Sequence, residues 1–304
     1  MKKLFSITYS QDKTHRVIQI LGIKLKFKIN KDKFLEQLAD KISFCCALEI
    51  SNALKIYNLH SKVFPQFKNV NVGKNVAVIG CGPSVKYYNS EINAVNIAVN
   101  DAVFFKNIDF DTLFVWDSNI LNNTPDYLEK IYKLKCKKFI GHYIYPERIG
   151  SFGQLVYPPD ANVYECYSSN RVAMHAYEYG EIIQPDISVN PLADFYTIAF
   201  GALHFAFWTN PDKIYLIGLD TSNTGHILGE DYKCIYNVEK MLLGYKKFKE
   251  FAKIHYPKTE IISVNPVGLK GLFKDVYTQS YVNAHPELLK ENVEIINEEI
   301  INAK

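Results

Sequence analysis

Short segments in which nearly every residue is apolar recur along the chain, and longer segments with helical spacing separate them. Uninterrupted apolar runs of this kind are typical of parallel strands that are covered on both faces. Alternation of such strands with helices predicts an α/β fold with a Rossmann-like, doubly wound and mostly parallel sheet. The runs lie at residues 76–79, 96–99, 112–116, 138–140, 213–218 and 260–264.

Three longer segments predict helices. Apolar residues recur at helical spacing from residue 33 to Pro65, which cannot continue a helix. Residues 195–209 are almost wholly apolar, which predicts a buried helix and makes His204 a core histidine and not a ligand. Residues 242–252 place apolar residues three and four apart with lysines between them, which predicts an amphipathic surface helix.

The first 40 residues carry a basic excess of nine Lys or Arg against four Asp or Glu. After Gly22, apolar residues alternate with Lys24, Lys26 and Lys28, which predicts a β-hairpin with one basic face. Such a face would attract an anionic membrane surface, where each basic residue contributes about 1 kcal/mol. Alternatively, the lysines protect an exposed strand edge against aggregation.

These patterns predict three parts of the chain. Residues 1–70 form a basic hairpin with a helical extension, residues 71–282 form the Rossmann-like domain, and residues 283–304 form a C-terminal helical arm. Residues 150–194 are irregular and rich in proline, which predicts either a lid that closes over the domain or an inserted subdomain.

Composition excludes several classes of protein. Lys and Arg number 35 against 32 Asp and Glu, and this near-balance argues against a nucleic-acid-binding protein. The longest apolar run, residues 198–208, is too short to span a bilayer, which takes about 20 residues. The polar sequence after Lys3 does not match a signal peptide. The six cysteines show no C-x-x-C or zinc spacing, which predicts reduced thiols and a cytoplasmic protein.

The strongest local signal is a predicted strand that runs into Gly80-Cys81-Gly82-Pro83-Ser84. The glycines let the backbone approach a phosphate or a ribose, and free N–H groups and the Ser84 hydroxyl can hydrogen-bond it. A dinucleotide site would have a third glycine, which is missing here, and Pro83 removes one amide donor. Besides a turn that binds a phosphate or a ribose, this motif could be the glycine turn of a methyltransferase or a tight turn with a purely structural role.

Polar residues also follow the other predicted strands, in the order Asn100-Asp101, Asp117-Ser118, His142-Tyr143 and Asp220-Thr221-Ser222-Asn223 with His226. The carboxyl ends of parallel strands meet at one edge of the sheet, where ligands of open α/β sheets bind. The sequence therefore predicts a ligand site at this edge, although a turn or capping role would explain each residue singly.

Together these motifs resemble two related groups of bacterial proteins. The Gly-x-Gly-Pro-Ser turn, Val99-Asn100-Asp101, Asp117 and the strand Ile214–Asp220 with a nearby His226 are similar to the Maf-like flagellin glycosyltransferases. That group includes proteins similar to 6-hydroxymethylpterin pyrophosphokinase. More distantly, the same motifs resemble the family-42 bacterial sialyltransferases. The resemblance covers roughly residues 74–275.

The resemblance implies a glycosyltransferase that moves a sugar, such as a CMP-linked nonulosonic acid, to a bacterial surface glycan. Lipooligosaccharide, capsule and flagellin are the acceptors that it suggests. The chain departs from the sialyltransferases in having Ile198 where they have serine, and residues 221–224 where they have tyrosines. It also has no histidine between residues 230 and 252, where they carry their base. His226, close after the Gly-x-Asp strand end, fits the Maf-like pattern better.

Candidate roles follow from this comparison and from the chemistry of glycosyl transfer. His226 is the candidate base because a neutral imidazole is available near pH 7. Asp117 or Asp220 would orient it, or would hold Mg²⁺ with the donor phosphates. The nucleotide would contact Gly80, Cys81, Gly82, Pro83, Ser84, Asn100, Asp101 and Ser118. The substrate would contact Thr221, Ser222, Asn223, His142, Tyr143 and Arg171.

Two alternatives to the glycosyltransferase hypothesis stay open at this point. An enzyme of the pyrophosphokinase type would use ATP and Mg²⁺ through Asp117 and Asp220. A non-catalytic scaffold would keep the nucleotide-binding fold without turnover. The basic first 40 residues favour the glycosyltransferase, since glycolipid acceptors lie at the anionic inner face of the cytoplasmic membrane and a peripheral contact there is expected.

Overall fold

The computed structural model describes residues 5–9, 15–20, 23–28, 31–115, 125–141, 158–164, 183–195, 197–223, 225–227 and 237–296. The chain folds into two compact units, Met1–Leu54 and Lys55–Lys304. The domain boundaries predicted from the sequence, at residues 70 and 282, stay predictions. In the part of the chain that the structure describes, no helix is long and apolar enough to cross a membrane.

The first unit contains the predicted hairpin, extended by one strand. Strands β1 (Phe5–Tyr9), β2 (His15–Ile20) and β3 (Ile23–Lys28) form an antiparallel sheet in the order β1-β2-β3. Ile20 pairs with Ile23 in the register of β2 and β3. Lys24, Lys26 and Lys28 occupy alternate positions of β3 and therefore share one face of the sheet. The hairpin is thus confirmed, and β1 was not predicted.

The second unit is built on one parallel sheet of eight strands, which confirms the predicted doubly wound fold. Its strands are β4 (Asn75–Ile79), β5 (Val95–Val99), β6 (Thr112–Val115), β7 (Lys137–Gly141), β8 (Ala161–Tyr164), β9 (Lys213–Ile217), β10 (Glu260–Val264) and β11 (Lys274–Val276). The order of these strands across the sheet is β11-β10-β9-β4-β5-β6-β7-β8. Each predicted apolar run forms one of the strands, and β8 and β11 were not predicted.

The described residues also form α-helices and short 3₁₀ helices. Helix α1 (Lys31–Val63) ends two residues before Pro65, as the sequence predicts. The others are α2 (Pro125–Lys133), α3 (Ala199–Trp208), α4 (Val238–His255) and the short α5 (Gln279–Ala284). Short 3₁₀ helices span Phe64–Phe67, Pro83–Tyr87, Asn100–Phe104 and Pro286–Glu291.

Helix α3 is buried along its whole length, as predicted, but it begins at Ala199 and not at residue 195. The Thr197 hydroxyl accepts a hydrogen bond from the Ala199 amide (3.4 Å), and the Thr197 carbonyl accepts one from Phe200 (3.2 Å). Thr197 thus lies just outside α3, whose N-cap residue is Ile198. Threonine hydroxyls that bond nearby amides compete with helix formation, which fits a start at Ala199. The apolar pattern alone could not locate this start.

Both faces of the sheet are covered by apolar layers. One face packs against α3, α4 and the Phe64–Phe67 turn through an aromatic layer, in which the Phe114 and Phe139 rings stack at 4.7 Å. The other face packs against α2 and the 3₁₀ helices that follow β4 and β5. Much of the high aromatic content therefore fills this core.

Two buried histidines hold the segment of residues 183–195 against the core. His204 of α3 accepts a hydrogen bond from the Ala193 amide at Nδ1 (3.1 Å) and donates from Nε2 to the Gln184 carbonyl (2.7 Å). His60 of α1 places Nδ1 at 2.8 Å from the Ile187 carbonyl. His204 is therefore a core histidine, as the sequence predicts, and burial lowers its pKa to about 4.

The sheet order places the centre of the molecule at β4 and β9. From β4 the chain moves outward through β5, β6, β7 and β8, and it then returns through α3 to β9, beside β4. The strand order reverses at this point, so the connections on its two sides diverge and leave a crevice above the carboxyl ends of the strands. Most of the described candidate site residues follow β4, β5 and β9.

Candidate functional site

The turn after β4 is joined directly to the turn after β9. The Gly80 amide donates to the Ile217 carbonyl (2.9 Å), and the Gly82 amide donates to the Gly218 carbonyl (2.7 Å). A Cβ atom on Gly82 would lie 2.7 Å from that same carbonyl oxygen, so this approach requires glycine. The sequence analysis expected these amides to be free for a ligand, whereas the protein itself provides their acceptors.

Ser84 and Asp220 form the second link between the same two turns. The Ser84 amide donates to Oδ2 of Asp220 (2.9 Å), and the Ser84 hydroxyl donates to Oδ1. The carboxylate is almost completely buried. Burial raises the pKa of Asp220, and the two hydrogen bonds from Ser84 oppose this rise. We call this arrangement the Ser84–Asp220 clamp, and it fixes the separation of the β4 and β9 ends.

The backbone after β9 is held in left-handed conformations. Gly218 has φ 61° and Thr221 has φ 48°. A β-branched residue such as threonine adopts this region only under strain, which persists where surrounding contacts impose it. Here the Gly268 amide donates to the Asp220 carbonyl (2.8 Å), and the Tyr245 side chain hydrogen-bonds Thr221. Backbone strain of this kind clusters at functional sites, and it marks the end of β9.

Gly268 and Tyr245 are positioning residues that the sequence analysis missed. A Cβ atom on Gly268 would lie 2.1 Å from the Thr221 carbonyl oxygen, so only glycine fits. Tyr245 is a fully buried residue of α4. Its ring packs in the apolar core, and its hydroxyl is the polar group that meets Thr221. Neither role could be predicted from the sequence, because the partner of each residue is distant along the chain.

The end of β5 supplies an unsatisfied acceptor. Asn100 follows the strand directly and has φ 50°, a left-handed conformation that asparagine tolerates better than most residues. Its Oδ1 atom is buried and has no hydrogen-bond partner among the residues that the structure describes. A buried carbonyl oxygen without a donor costs roughly 1–3 kcal/mol, and such groups call for a specific explanation. A bound ligand that donates a hydrogen bond would remove this cost.

Cys81 lies between the turn and the end of β5, where its Sγ contacts the Val99 carbonyl at 3.7 Å. Burial raises the pKa of Cys81 to about 12, and the negative charge of Asp101 adds to the effect. The thiol is therefore protonated near neutral pH, which excludes it as a nucleophile. This environment is typical of a small filling residue.

His226 lies at the same edge of the sheet, because the next residue, Ile227, is hydrogen-bonded to the turn after β4. The Ile227 amide donates to the Cys81 carbonyl (2.9 Å), which docks the segment after β9 onto the Gly80–Ser84 turn. His226 is partly buried, and burial lowers its pKa while the charge of Asp101 opposes this change. The charge of Asp101 therefore acts on His226. The predicted roles of Asp220 and of Asp117, which lies outside the described residues, stay predictions.

The remaining predicted residues divide into two groups. Pro83 begins the 3₁₀ helix, where its fixed φ is favourable, and Thr221, Ser222 and Asn223 run from a buried to an exposed position. Five predicted residues lie outside the described residues: Asp117, Ser118, His142, Tyr143 and Arg171.

The chemistry of the described residues does not fit a preformed magnesium site. Mg²⁺ in proteins is held by carboxylates that are open to the ion. Both oxygens of Asp220 accept hydrogen bonds from Ser84, and no group of three potential metal ligands occurs among the residues that the structure describes. We therefore derive no step through a metal ion.

Comparisons with known proteins give the following results. No protein-family model and no curated protein matches the chain. The sialyltransferase CstII from Campylobacter jejuni, in complex with the substrate analogue CMP-3FNeuAc, is 15% identical, with a TM-score of 0.40 over 75% of this chain and 88% of that chain. The MAf glycosyltransferase from Magnetospirillum magneticum AMB-1 is 14% identical, with a TM-score of 0.43 over 74% of this chain and 38% of that chain.

A third solved structure, an alpha-2,3-sialyltransferase from Campylobacter jejuni in apo form, is 16% identical with a TM-score of 0.37. The match covers 64% of this chain and 78% of the sialyltransferase chain. These neighbours come from the two groups that the sequence motifs resemble.

Proposed function

We propose that the protein is a glycosyltransferase that moves a sugar from a nucleotide donor, a CMP-linked nonulosonic acid, to a bacterial surface glycan. The observation that carries this proposal is the convergence of three strand ends at one edge of the sheet. There the buried, unsatisfied Asn100 Oδ1 lies at the end of β5, and the docked His226 lies in the field of Asp101. Ligands of doubly wound sheets bind at this edge.

Asn100 is the residue that we assign to the nucleotide. Its Oδ1 atom can only accept hydrogen bonds. Cytosine presents an N4 amine donor and ribose presents hydroxyl donors, and either would satisfy this buried oxygen. The Ser84–Asp220 clamp sets the distance between the β4 and β9 ends, and it therefore shapes the crevice that receives the nucleotide. In this proposal Gly80 and Gly82 act through the close approach of the two turns.

His226 is the residue that we assign as general base. A partly buried imidazole whose pKa lies below its ordinary value is neutral near pH 7 and can accept a proton. The negative charge of Asp101 stabilises the imidazolium that results. His226 removes the proton from the acceptor hydroxyl while that oxygen bonds to the anomeric carbon. The bond from this carbon to the donor phosphate breaks, and the nucleotide leaves with the electron pair.

The nucleotide donor is favoured over the ATP and Mg²⁺ alternative by the state of Asp220. A pyrophosphokinase would need Asp117 and Asp220 as open metal ligands. The Asp220 carboxylate is instead engaged by the Ser84 amide and hydroxyl. This leaves the alternative with Asp117, which lies outside the described residues. Asp117, Ser118, His142, Tyr143 and Arg171 stay candidate contacts of the donor and acceptor.

A nucleotide panel tests the proposal. The melting temperature of the protein is measured with CMP, UMP, UDP, GDP, ADP and ATP, each with EDTA or with Mg²⁺. A ligand at 100 times its Kd stabilises the folded state by about 2.7 kcal/mol, which such an assay detects. We expect CMP to raise the melting temperature in EDTA. Stabilisation by ATP with Mg²⁺ alone would favour the pyrophosphokinase, and no shift with any nucleotide would favour the scaffold.

A further inference from the structure

Three aromatic side chains form a cluster beside the clamp that the sequence analysis did not predict. The rings of Tyr87 and Tyr281 meet edge to face at 5.1 Å, and the His285 ring stacks on Tyr281 at 4.3 Å. Tyr87 and His285 are 5.9 Å apart. All three side chains are partly exposed. We call these residues the aromatic cluster.

A chain of hydrogen bonds fixes the aromatic cluster in place. Asn265, at the end of β10, forms two hydrogen bonds with Thr278. The Thr278 amide donates to Oδ1 of Asn265 (2.8 Å), and Nδ2 of Asn265 donates to the Thr278 hydroxyl (3.0 Å). The Thr278 hydroxyl lies 3.1 Å from that of Ser280, and the Ser280 hydroxyl donates to the Tyr87 carbonyl (2.5 Å). Asn265 and Thr278 are almost fully buried, so the cluster is preorganised.

The aromatic cluster borders the clamp. Tyr87 is the last residue of the 3₁₀ helix whose second residue is Ser84. Tyr281 belongs to α5, which follows β11 at the same edge of the sheet. The Ser280 hydroxyl of α5 donates to the carbonyl of Tyr87, three residues after Ser84, so α5 contacts the same 3₁₀ helix that carries the clamp. A group bound on the cluster would therefore lie beside the nucleotide crevice.

We propose that the aromatic cluster is the subsite for a pyranose ring of the glycan acceptor. The C–H bonds of a sugar ring meet the electron-rich faces of aromatic rings favourably. The tyrosine hydroxyls and the His285 imidazole supply hydrogen-bond partners for the sugar hydroxyls. Rigid, partly exposed aromatic rings with polar tips combine a large contact area with few rotatable bonds, which suits such a ligand. This inference rests on the proposed function.

Saturation-transfer NMR with methyl glycosides tests the inference. The probes are methyl β-D-galactopyranoside and methyl N-acetyl-β-D-glucosaminide at millimolar concentration, with the full chain. We expect saturation transfer to at least one glycoside, reduced at least fivefold in Tyr87→Ala and in Tyr281→Ala. Tyr57→Ala, an equivalent change at an exposed tyrosine of α1, is the matched control and should keep the signal.

A second variant covers the case in which a tyrosine change unfolds the protein. The partly exposed His285 side chain also lies 3.3 Å from the exposed Glu287, so His285→Ala should retain the melting temperature and still weaken the glycoside signal. No signal with the wild-type chain, or equal signals in all variants, would overturn the inference. The nucleotide panel separates the two proposals: CMP binding without glycoside binding defeats only this one, and glycoside binding without nucleotide binding defeats the proposed function.

Discussion

The carboxylate of Asp220 accepts hydrogen bonds from both the amide and the hydroxyl of Ser84, and it thereby ties the end of β9 to the end of β4. The two residues are 136 positions apart in the sequence. They meet because β4 and β9 are neighbours at the point where the strand order reverses. The clamp thus holds the ends of β4 and β9 together at the point where ligands of doubly wound sheets bind.

We predict that breaking the clamp destabilises the fold. In Asp220→Ala the Ser84 amide and hydroxyl lose their acceptor while they stay buried, which should lower the free energy of unfolding by about 2 kcal/mol or more. Urea denaturation measures this change. Asp212→Ala is the matched control, because Asp212 also accepts a backbone amide, that of Gly73 (3.2 Å), but is exposed. Equal losses in the two variants would contradict the structural role of the clamp.

The buried His204 predicts a loss of stability in acid. Its pKa falls from 6.5 to about 4 on folding, so its contribution is complete above pH 6.5 and is lost as the pH falls toward 4. A shift of this size corresponds to on the order of 3 kcal/mol. Denaturation at a series of pH values should show a shallower decline in His204→Gln than in the wild type. His255→Gln, at an exposed histidine of α4, should keep the wild-type decline.

The interaction of His226 with Asp101 predicts the pH dependence of turnover. The charge of Asp101 raises the pKa of His226, so Asp101→Asn should lower this pKa. The acidic limb of kcat/KM should then move to lower pH, while His226→Gln should reduce kcat about 10²–10⁴-fold. Release of CMP from the donor, followed against pH, measures both effects. An acidic limb that stays in place in Asp101→Asn would remove His226 from the role of base.

The basic face of β3 predicts association with anionic membranes. Each lysine near such a surface contributes about 1 kcal/mol, so reversing Lys24, Lys26 and Lys28 to Glu should abolish flotation with liposomes that contain anionic lipid. The control reverses three exposed lysines of the second unit: Lys106, Lys258 and Lys290. If wild-type protein does not float, or if the two triple variants float equally, the lysines of β3 serve to protect the strand edge.

The central strands were predictable from sequence, and the edge strands were not. In β4, β5 and β9 the first residue is partly buried and the next four are buried, which produces the uninterrupted apolar runs. β8 at the sheet edge has three partly buried residues of four and reads as irregular sequence. β11 has only three residues, Lys274–Val276. Strands with one open side carry no continuous apolar signal.

The same distinction applies to the candidate site. The sequence indicated Ser84, Asn100, Asp220 and His226 singly, because each stands at or shortly after a strand end. It could not show which of these residues pair, since pairing depends on the strand order and on left-handed backbone at residues such as Thr221. The aromatic cluster was invisible for the same reason: α5 and the 3₁₀ helix after β4 meet only in the folded chain.

The most direct test of the account is the binding of CMP to the end of β5, measured by isothermal titration calorimetry in EDTA. Asn100→Gly removes the buried acceptor while glycine keeps the left-handed backbone, and Asn69→Gly makes the same change at an exposed left-handed position. We predict that the wild type and Asn69→Gly bind CMP with equal Kd and that Asn100→Gly binds at least tenfold more weakly. No binding by the wild type, or equal binding by all three proteins, would contradict the account.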